Sequence, residues 1–508
     1  MITNVLEYLD NIVKVYPDKL AYSDDKTEYT FKDVETSSKA IGTYLNSKGL
    51  YKEPVIIFMH KSPKTIASFF GSVYAGCYYI PIDDEMPKQR LNMIFETLNA
   101  RAMIVDENSI EKAQTFEEYK GEIYLYDDLI KTPIQQDQLD IVADKHLDTD
   151  ILYILFTSGS TGRPKGVVLS HRQILDYTET LGEVLGLSNE TVFGNQTPLY
   201  FDASLKELYG TIKHGCTTYL IDKQLFMFPV KLVEYLNSHK INTITWASSA
   251  LVIISSFNTF DKVIPEYLHT VAFSTEVFPT KQYNIWKSTL PHVRFFNMYG
   301  PTEATGVCTY YEVTKHYEDN ENIPIGKPFK NTEILLLKED GTLAKDGEAG
   351  EICVKGACLA LGYFKNEEKT KEAFVQNPLN DMYPEVIYKT GDLGKYNEDG
   401  DIVFVSRKDY QIKHMGHRIE LGEIEQNVNS LEGIQACCCV YNDIKERIVL
   451  YYVGTITKKE IISELKERIP RYMIPNSTYQ LEALPMNIND KIDRVKLKQM
   501  AMEGKGKK

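Results

Sequence analysis

Apolar and polar positions change their period several times along this chain. PVIIFM (54–59), ARAMIVD (100–106) and DILYILFTSG (150–159) are apolar runs of strand length. Runs of this kind predict strands covered on both faces. SPKTIASFFGSVYAG (62–76) predicts a helix ending at Gly76, and Leu6, Leu9, Ile12 and Val13 recur at helical spacing near the N-terminus. Strands alternating with helices predict α/β layers with largely parallel sheets. From about 345 to 406 the pattern differs. EICVKG, YKTGDLG and NEDGDIVFV are short, turn-rich and strand-like, which predicts antiparallel strands or a small barrel. After Arg407 two helical patterns, ELGEIEQNVNSL and TKKEIISELKERI, flank the strand-like ACCCVYN and RIVLYYVG. That predicts a separate α+β domain of ordinary size, with the final EGKGKK frayed.

Length and composition narrow this picture. The 508 residues exceed one ordinary core. Hydrophobic residues at 43% and charged residues at 25% put most of the chain in the folded range. A net charge of −14 suits neither nucleic acid nor an anionic membrane surface. The C-terminal hundred residues are near neutral, which leaves open a solvated mixed surface or a docking face for an acidic partner. The N-terminus lacks the basic start and apolar core of a signal peptide, and no run is long enough to span a bilayer. The 8 cysteines show no metal-ligand spacing, so Cys437, Cys438 and Cys439 are expected as small apolar fillers of a strand. A cytoplasmic location is expected.

Three local motifs carry chemistry. The first is Thr157-Ser158-Gly159-Ser160-Thr161-Gly162-Arg163-Pro164-Lys165-Gly166, placed after an apolar strand. Glycines let backbone N–H groups approach an anion, hydroxyls add donors and Lys165 adds charge. Lys165 is followed by Gly rather than Ser or Thr, so the Walker pattern is not met. The second is Asn297-Met298-Tyr299-Gly300-Pro301-Thr302-Glu303, where the strand-like VRFFN meets a turn. Ligands sit at such strand ends. Tyr299 could stack on a base, Asn297 could read its edge, and Glu303 is a hard oxygen ligand suited to Mg²⁺. The third is Tyr388-Lys389-Thr390-Gly391-Asp392, whose acid could hold a ribose diol or make a local Asx turn.

With SRKDYQIKHMGHRIELGEIE and Asn489-Asp490-Lys491-Ile492-Asp493-Arg494, these motifs occur in the order found in adenylate-forming enzymes. The chain therefore resembles the superfamily of acyl-CoA synthetases, luciferases and amino-acid adenylation domains, from about YTFKDVE (29–35) to Leu497. Within it, AGCYYIPID with Pro87 and Arg90, HRIELGEIE, and Phe201-Asp202-Ala203-Ser204 resemble nonribosomal peptide synthetase adenylation domains. They resemble the D-alanine–carrier-protein ligases about equally.

The resemblance implies an α/β fold. A large N-terminal domain, 1–408, would hold two α/β layered sheets and a small β-barrel, and a small mobile α+β domain, 409–508, would follow. It also implies residue roles. Tyr299 would stack on adenine, Asn297 would bond its exocyclic amine, and Gly300 would shape the turn. Asp392 and Arg407 would hold the ribose. Thr302 would contact the α-phosphate, Glu303 would help hold Mg²⁺, and the 157–166 loop would embrace the β- and γ-phosphates. Lys491 would bridge the substrate carboxylate and the nucleotide, offsetting the repulsion of two anions. Asp490 departs from the usual glycine before this lysine and adds a negative charge beside it. Asp409 would be the hinge about which the small domain rotates, withdrawing Lys491 and bringing the Lys413–His417 loop with Gly416 to a pantetheine thiol.

For the acyl group, the resemblance gives Asp202 the substrate's α-ammonium, although an N-cap on the helix of SLKELYG is the plainer alternative. The side-chain pocket would comprise Ala203, Lys206, Thr245, Ala272, Ser274, Met298, Gly306 and Val307. Lys206 could meet an acidic or polar side chain or point to solvent along its helix. The activity implied is ATP- and Mg²⁺-dependent formation of an aminoacyl-AMP with pyrophosphate release. The acyl group would then pass to the phosphopantetheine of a separate carrier protein, or to free coenzyme A. A monomer is expected, with no nucleic acid or membrane partner. The alternatives are an acyl- or aryl-CoA ligase and a non-catalytic nucleotide- or carrier-binding protein.

Overall fold

The computed structural model describes residues 2–158, 163–408, 411–486 and 492–504. Strand Pro54–Phe58 is wholly buried and pairs in parallel with Tyr78–Pro81 and Ala102–Val105, as its unbroken apolar run requires. Helix Pro63–Tyr74 begins at Ser62, whose side chain accepts from the Thr65 N–H, and stops before Gly76 at φ +70°.

Two large sheets form the body. One has seven strands and the other nine, mostly parallel with antiparallel strands at the edges. A single inner core joins Val55, Ile57 and Tyr79 of the seven-stranded sheet to Ala272, Phe296 and Met298 of the nine-stranded one. Between them lie apolar residues of helices Phe31–Ser47, Pro63–Tyr74, His171–Leu185 and Leu205–His214. The opposite faces have their own cores. Ile244, Trp246 and Phe273 pack on helices Pro229–Ser238, Ser248–Ser256 and Thr280–Thr289. Ile56, Phe58 and Met103 pack on helix Lys88–Leu98. The result is five alternating layers, and the helices of the middle layer are enclosed on both sides.

Residues 332–407 contribute a five-stranded antiparallel sheet. Its long strand Val386–Tyr396 pairs with Gly350–Gly356 on one edge, and with Phe374–Gln376 and Ile402–Arg407 on the other. Among the described residues no strand pair closes this sheet, so the expected barrel is an open one.

From Gln411 onward the chain builds separate cores around a three-stranded sheet, Ile434–Asn442, Arg447–Gly454 and Ser477–Gln480. Cys437 and Cys439 face one core and Cys438 the other, as strand alternation demands, and all eight cysteines are buried and free. This unit docks on the body through Arg90 and Glu423, a buried ion pair with 4% and 1% exposure. Among the described residues no helix is long and apolar enough to cross a membrane.

Candidate active site

Strand Arg294–Tyr299 delivers the first part of the site. Alternation turns Phe296 and Met298 to the inner core and leaves Asn297 and Tyr299 on the other side. Asn297 donates from Nδ2 to the carbonyls of Ile323 (3.2 Å) and Pro324 (2.8 Å), which leaves Oδ1 as an acceptor for a ligand's amino group. The chain then folds back at Gly300. A Cβ there would lie 2.6 Å from Val307 Cα, so only glycine fits. The Tyr299 hydroxyl donates to Asp392 Oδ2 at 2.6 Å, and burial pushes its phenol pKa well up, so it stays a donor. Antiparallel pairing sets Arg407 directly opposite Asp392, and its Nη1 donates to Oδ1 at 2.6 Å. The Asp392 side chain is thus committed to the site and makes no local Asx turn.

Thr302, Glu303 and Ala304 form a single 3₁₀ turn after Pro301. Glu303 has 0% exposure. Its Oε1 accepts from the Tyr363 hydroxyl and its Oε2 from Arg418 Nη1, each at 2.7 Å. Burial opposes ionisation, but Arg418, Lys165 and Tyr363 more than offset it and hold the carboxyl at about 2. Lys165 lies 4.9 Å over the Tyr363 ring. Pairing of Thr157 with Lys165 brings the ends of the Ser/Gly-rich loop together. Ser158 donates to the Arg418 carbonyl at 2.8 Å. Gly159, Ser160, Thr161, Gly162, Asp409 and Lys491 lie outside the described residues.

The third part comes from the C-terminal unit. Strands Gln411–His414 and His417–Glu420 are joined by Met415 and Gly416 at φ +52° and +81°. Two positive φ values make the primed turn that suits a two-residue hairpin. This hairpin is inserted at the nucleotide-type residues. The Gly416 N–H donates to Glu276 Oε1 at 2.9 Å, and Lys413 Nζ stands 5.4 Å over the Tyr299 ring. His417 stacks on Tyr472 at 3.6 Å and meets Phe201 edge-on. Burial, with His414, lowers the His417 pKa to about 3, so the ring is neutral. The cleft that remains is lined by Asp202, Thr302, Asp392, Arg407, Gly416 and Arg418 and holds about 80 Å³. Small-molecule sites usually offer about 300 Å³ or more. In this pose Lys413, Gly416 and Arg418 of the hairpin form part of the cleft wall.

The acyl-type residues lie deeper. In-register parallel pairing puts Thr245 and Ala272 side by side, and Ser274 and Met298 follow on the same inward face. Helix Leu205–His214 packs over them through Glu207, which accepts from the Thr245 hydroxyl; Lys206 lies in its first turn, and Ala203 in the 3₁₀ turn Asp202–Ser204 before it. Asp202 makes no capping bond, so the N-cap alternative is not adopted. It interacts with the Thr302 hydroxyl, while burial raises its carboxyl pKa. Gly306 abuts Asp202, since a Cβ there would meet Asp202 Cβ at 3.2 Å, and Val307 is buried beside it. Lys206 is 1% exposed. The solvent-pointing alternative therefore fails, because this helix is the enclosed middle layer.

Arg418, Tyr363, Glu276 and Tyr472 escaped the sequence analysis. Arg418 had a signal: a two-residue turn at 415–416 pairs Arg418 with Lys413, so the two share a face. The others come from distant segments.

Comparison with known proteins adds a family. The model described as "AMP-binding enzyme" matches residues 9–364, and "AMP-binding enzyme C-terminal domain" matches 423–491. The D-alanine–D-alanyl carrier protein ligase of Bacillus licheniformis is 30% identical over 97% of this chain and 99% of its own length. Tyrocidine synthase 1 of Brevibacillus parabrevis is 28% identical over 97% of this chain, which spans 44% of that protein. In fold, the chain is similar to the Vibrio cholerae adenylation domain AlmE, solved with glycyl-adenosine-5'-phosphate. The TM-score is 0.86 at 19% identity, covering 99% of this chain and 98% of that one.

Proposed function

The chain belongs to the AMP-binding enzymes, and we propose that it activates an amino acid as its adenylate and loads it onto a separate carrier protein. In the first half-reaction the amino acid's carboxylate oxygen bonds to the α-phosphorus of ATP and pyrophosphate leaves. In the second, a phosphopantetheine sulfur bonds to the acyl carbon and AMP leaves. The observation that carries this reading is one cleft. It is lined at once by Asp202, by Asp392 with Arg407, and by Gly416. An acid for an ammonium, a polar pair for a ribose and a side-chain-free hairpin turn thus meet at one place.

Each group has a part. Asp202 pairs with the α-ammonium and orients the carboxylate. Asn297 Oδ1 accepts from the adenine amino group, and Tyr299 supplies the ring face that Lys413 covers in the docked pose. Thr302 donates to the α-phosphate, and Lys491 bridges the two anions. Among the described residues no cluster of three or more acids, histidines or cysteines could hold a metal by itself. Glu303, an ionised hard oxygen donor, fits Mg²⁺ shared with nucleotide phosphates once Arg418 has withdrawn. The ion would neutralise phosphate charge there.

The near-full-length carrier-protein ligase relatives support an amino acid and a carrier as partners. ATP–pyrophosphate exchange with both stereoisomers of the common amino acids tests the first half, and loading of a phosphopantetheinylated carrier tests the second. Exchange with at least one amino acid is expected. Exchange confined to aryl or fatty acids would overturn the amino-acid reading.

A further inference from the structure

Lys61 takes no part in either half-reaction, yet three main-chain acceptors hold it. It lies between strand Pro54–Phe58 of the seven-stranded sheet and helix Pro63–Tyr74, and its side chain crosses to the nine-stranded sheet. There Nζ donates to the carbonyls of Asn195 (3.0 Å), Gln196 (3.3 Å) and Ile221 (3.2 Å). Asn195 ends strand Val192–Asn195, and Ile221 follows its parallel neighbour Thr217–Leu220. One ammonium thus caps the carbonyl ends of two adjacent strands with all of its donors. Among the described residues it forms no ion pair. Burial lowers its pKa to about 7, against the pull of Glu207 and Asp222, so an ammonium is kept here at a cost.

The clamped segment, 196–201, joins strand Val192–Asn195 to Asp202. Leu199 is anchored in the inner core, but Gln196, Pro198 and Tyr200 border a cavity of about 590 Å³. On that side the segment leans on open space rather than on a packed layer, and Lys61 reaches it there. A second tie comes from the nine-stranded sheet, where the Ala247 N–H donates to Gln196 Oε1 at 3.3 Å. Tyr200, Phe201 and Asp202 then line the active cleft.

We propose that Lys61 is a positioning residue for amino-acid binding: by clamping the Asn195 and Gln196 carbonyls to the seven-stranded sheet, it fixes the segment that presents Asp202 to the substrate. This rests on the proposed pairing of Asp202 with the α-ammonium. Misplacing a binding group by about 1 Å can cost on the order of a hundredfold in rate. The segment is held by Lys61 at its start and enters a 3₁₀ turn at its end, so slack at the start is passed to Asp202. The nucleotide-type residues are set independently. Asn297 and Tyr299, Asp392, and Arg407 sit on three other strands, which Lys61 does not touch. The signature of the clamp is therefore one-sided: its loss weakens amino-acid binding and spares nucleotide binding.

The test is ATP–pyrophosphate exchange with the common L-amino acids and D-alanine, the best of which for the wild type serves as the probe. Lys61→Met keeps the stem and removes the donors. Its KM for the probe should rise by on the order of tenfold. Its kcat and its KM for ATP should stay within about twofold of wild type. Lys61→Arg restores donors and should recover most of the loss; a folded Lys61→Arg as weak as Lys61→Met would overturn the proposal. If Lys61 only braces the fold, Lys61→Met melts at a lower temperature while the KM for the probe is unchanged, or the KM values for probe and ATP rise together. Either result overturns the proposal. Should Lys61→Met not fold, Lys61→Gln, with one amide donor group on a shorter stem, is read in the same way, and a wild-type KM for the probe overturns the proposal there too. Wild-type exchange confined to acids without an amino group would overturn the amino-acid reading together with the clamp, whereas an unchanged KM for the probe in a folded variant overturns the clamp alone.

Discussion

The strand ends of the nine-stranded sheet and the 411–420 hairpin meet at the same site but are held there by different physics. On the sheet, Asn297, Tyr299, Thr245 and Ala272 are set by strand register, buried neighbours and short hydrogen bonds within one body. The hairpin is borrowed from the C-terminal unit. It is held by Arg418 on Glu303, Ser158 on the Arg418 carbonyl, and Gly416 on Glu276. Regular packing can only be broken by unfolding. A few polar contacts between units can be exchanged for others at small net cost. On the proposed function, substrate recognition belongs to the fixed side and the change of half-reaction to the borrowed side.

Three substitutions sharpen that contrast. The largest effect is expected on the fixed side. Asp202→Asn removes the partner of a desolvated ammonium and should cost about 3 kcal/mol in amino-acid kcat/KM, with the KM for ATP little moved. Initial-rate exchange assays check it, and an equal loss for both substrates would break the assignment. On the borrowed side, Arg418→Met removes the cation that competes for Glu303. Carrier loading should fall about tenfold, equivalent to about 1.4 kcal/mol. Exchange should persist, with a KM for ATP no higher than wild type. The smallest effect concerns acid. The Glu303 carboxyl is lowered from 4.5 to about 2. Its contribution to docking is present above 4.5 and is lost as pH falls through about 2. A fluorescence probe of the distance between the two units should show loosening over that window, and Glu303→Gln should remove the pH dependence.

Much of the fixed side was legible because its residues are contiguous. Asn297 to Glu303 runs through a strand end and a turn, and strand alternation alone separates Tyr299 from Met298. The fate of Lys206 was not legible. An amphipathic helix pattern does not say whether a further layer covers the polar side, and here the second sheet does. The Arg407–Asp392 pair depends on strand register across a turn-rich stretch, and periodicity leaves that register open. The open edge of the antiparallel sheet was illegible for the same reason. Glu276 could not be found because it meets the hairpin only after two units dock, and Tyr472 because it reaches His417 from a segment distant in sequence within the same unit.

The central claim is that the hairpin serves thioester formation and leaves adenylation to the fixed face. Gly416→Val tests it most directly, because the turn needs φ +81° at this residue and a β-branched side chain there is strained. Both half-reactions would be measured on the same preparation: ATP–pyrophosphate exchange, and single-turnover loading of a carrier. The account predicts exchange close to wild type and loading reduced by on the order of tenfold or more. Loss of exchange with loading of preformed adenylate retained, or an equal loss of both, would contradict it.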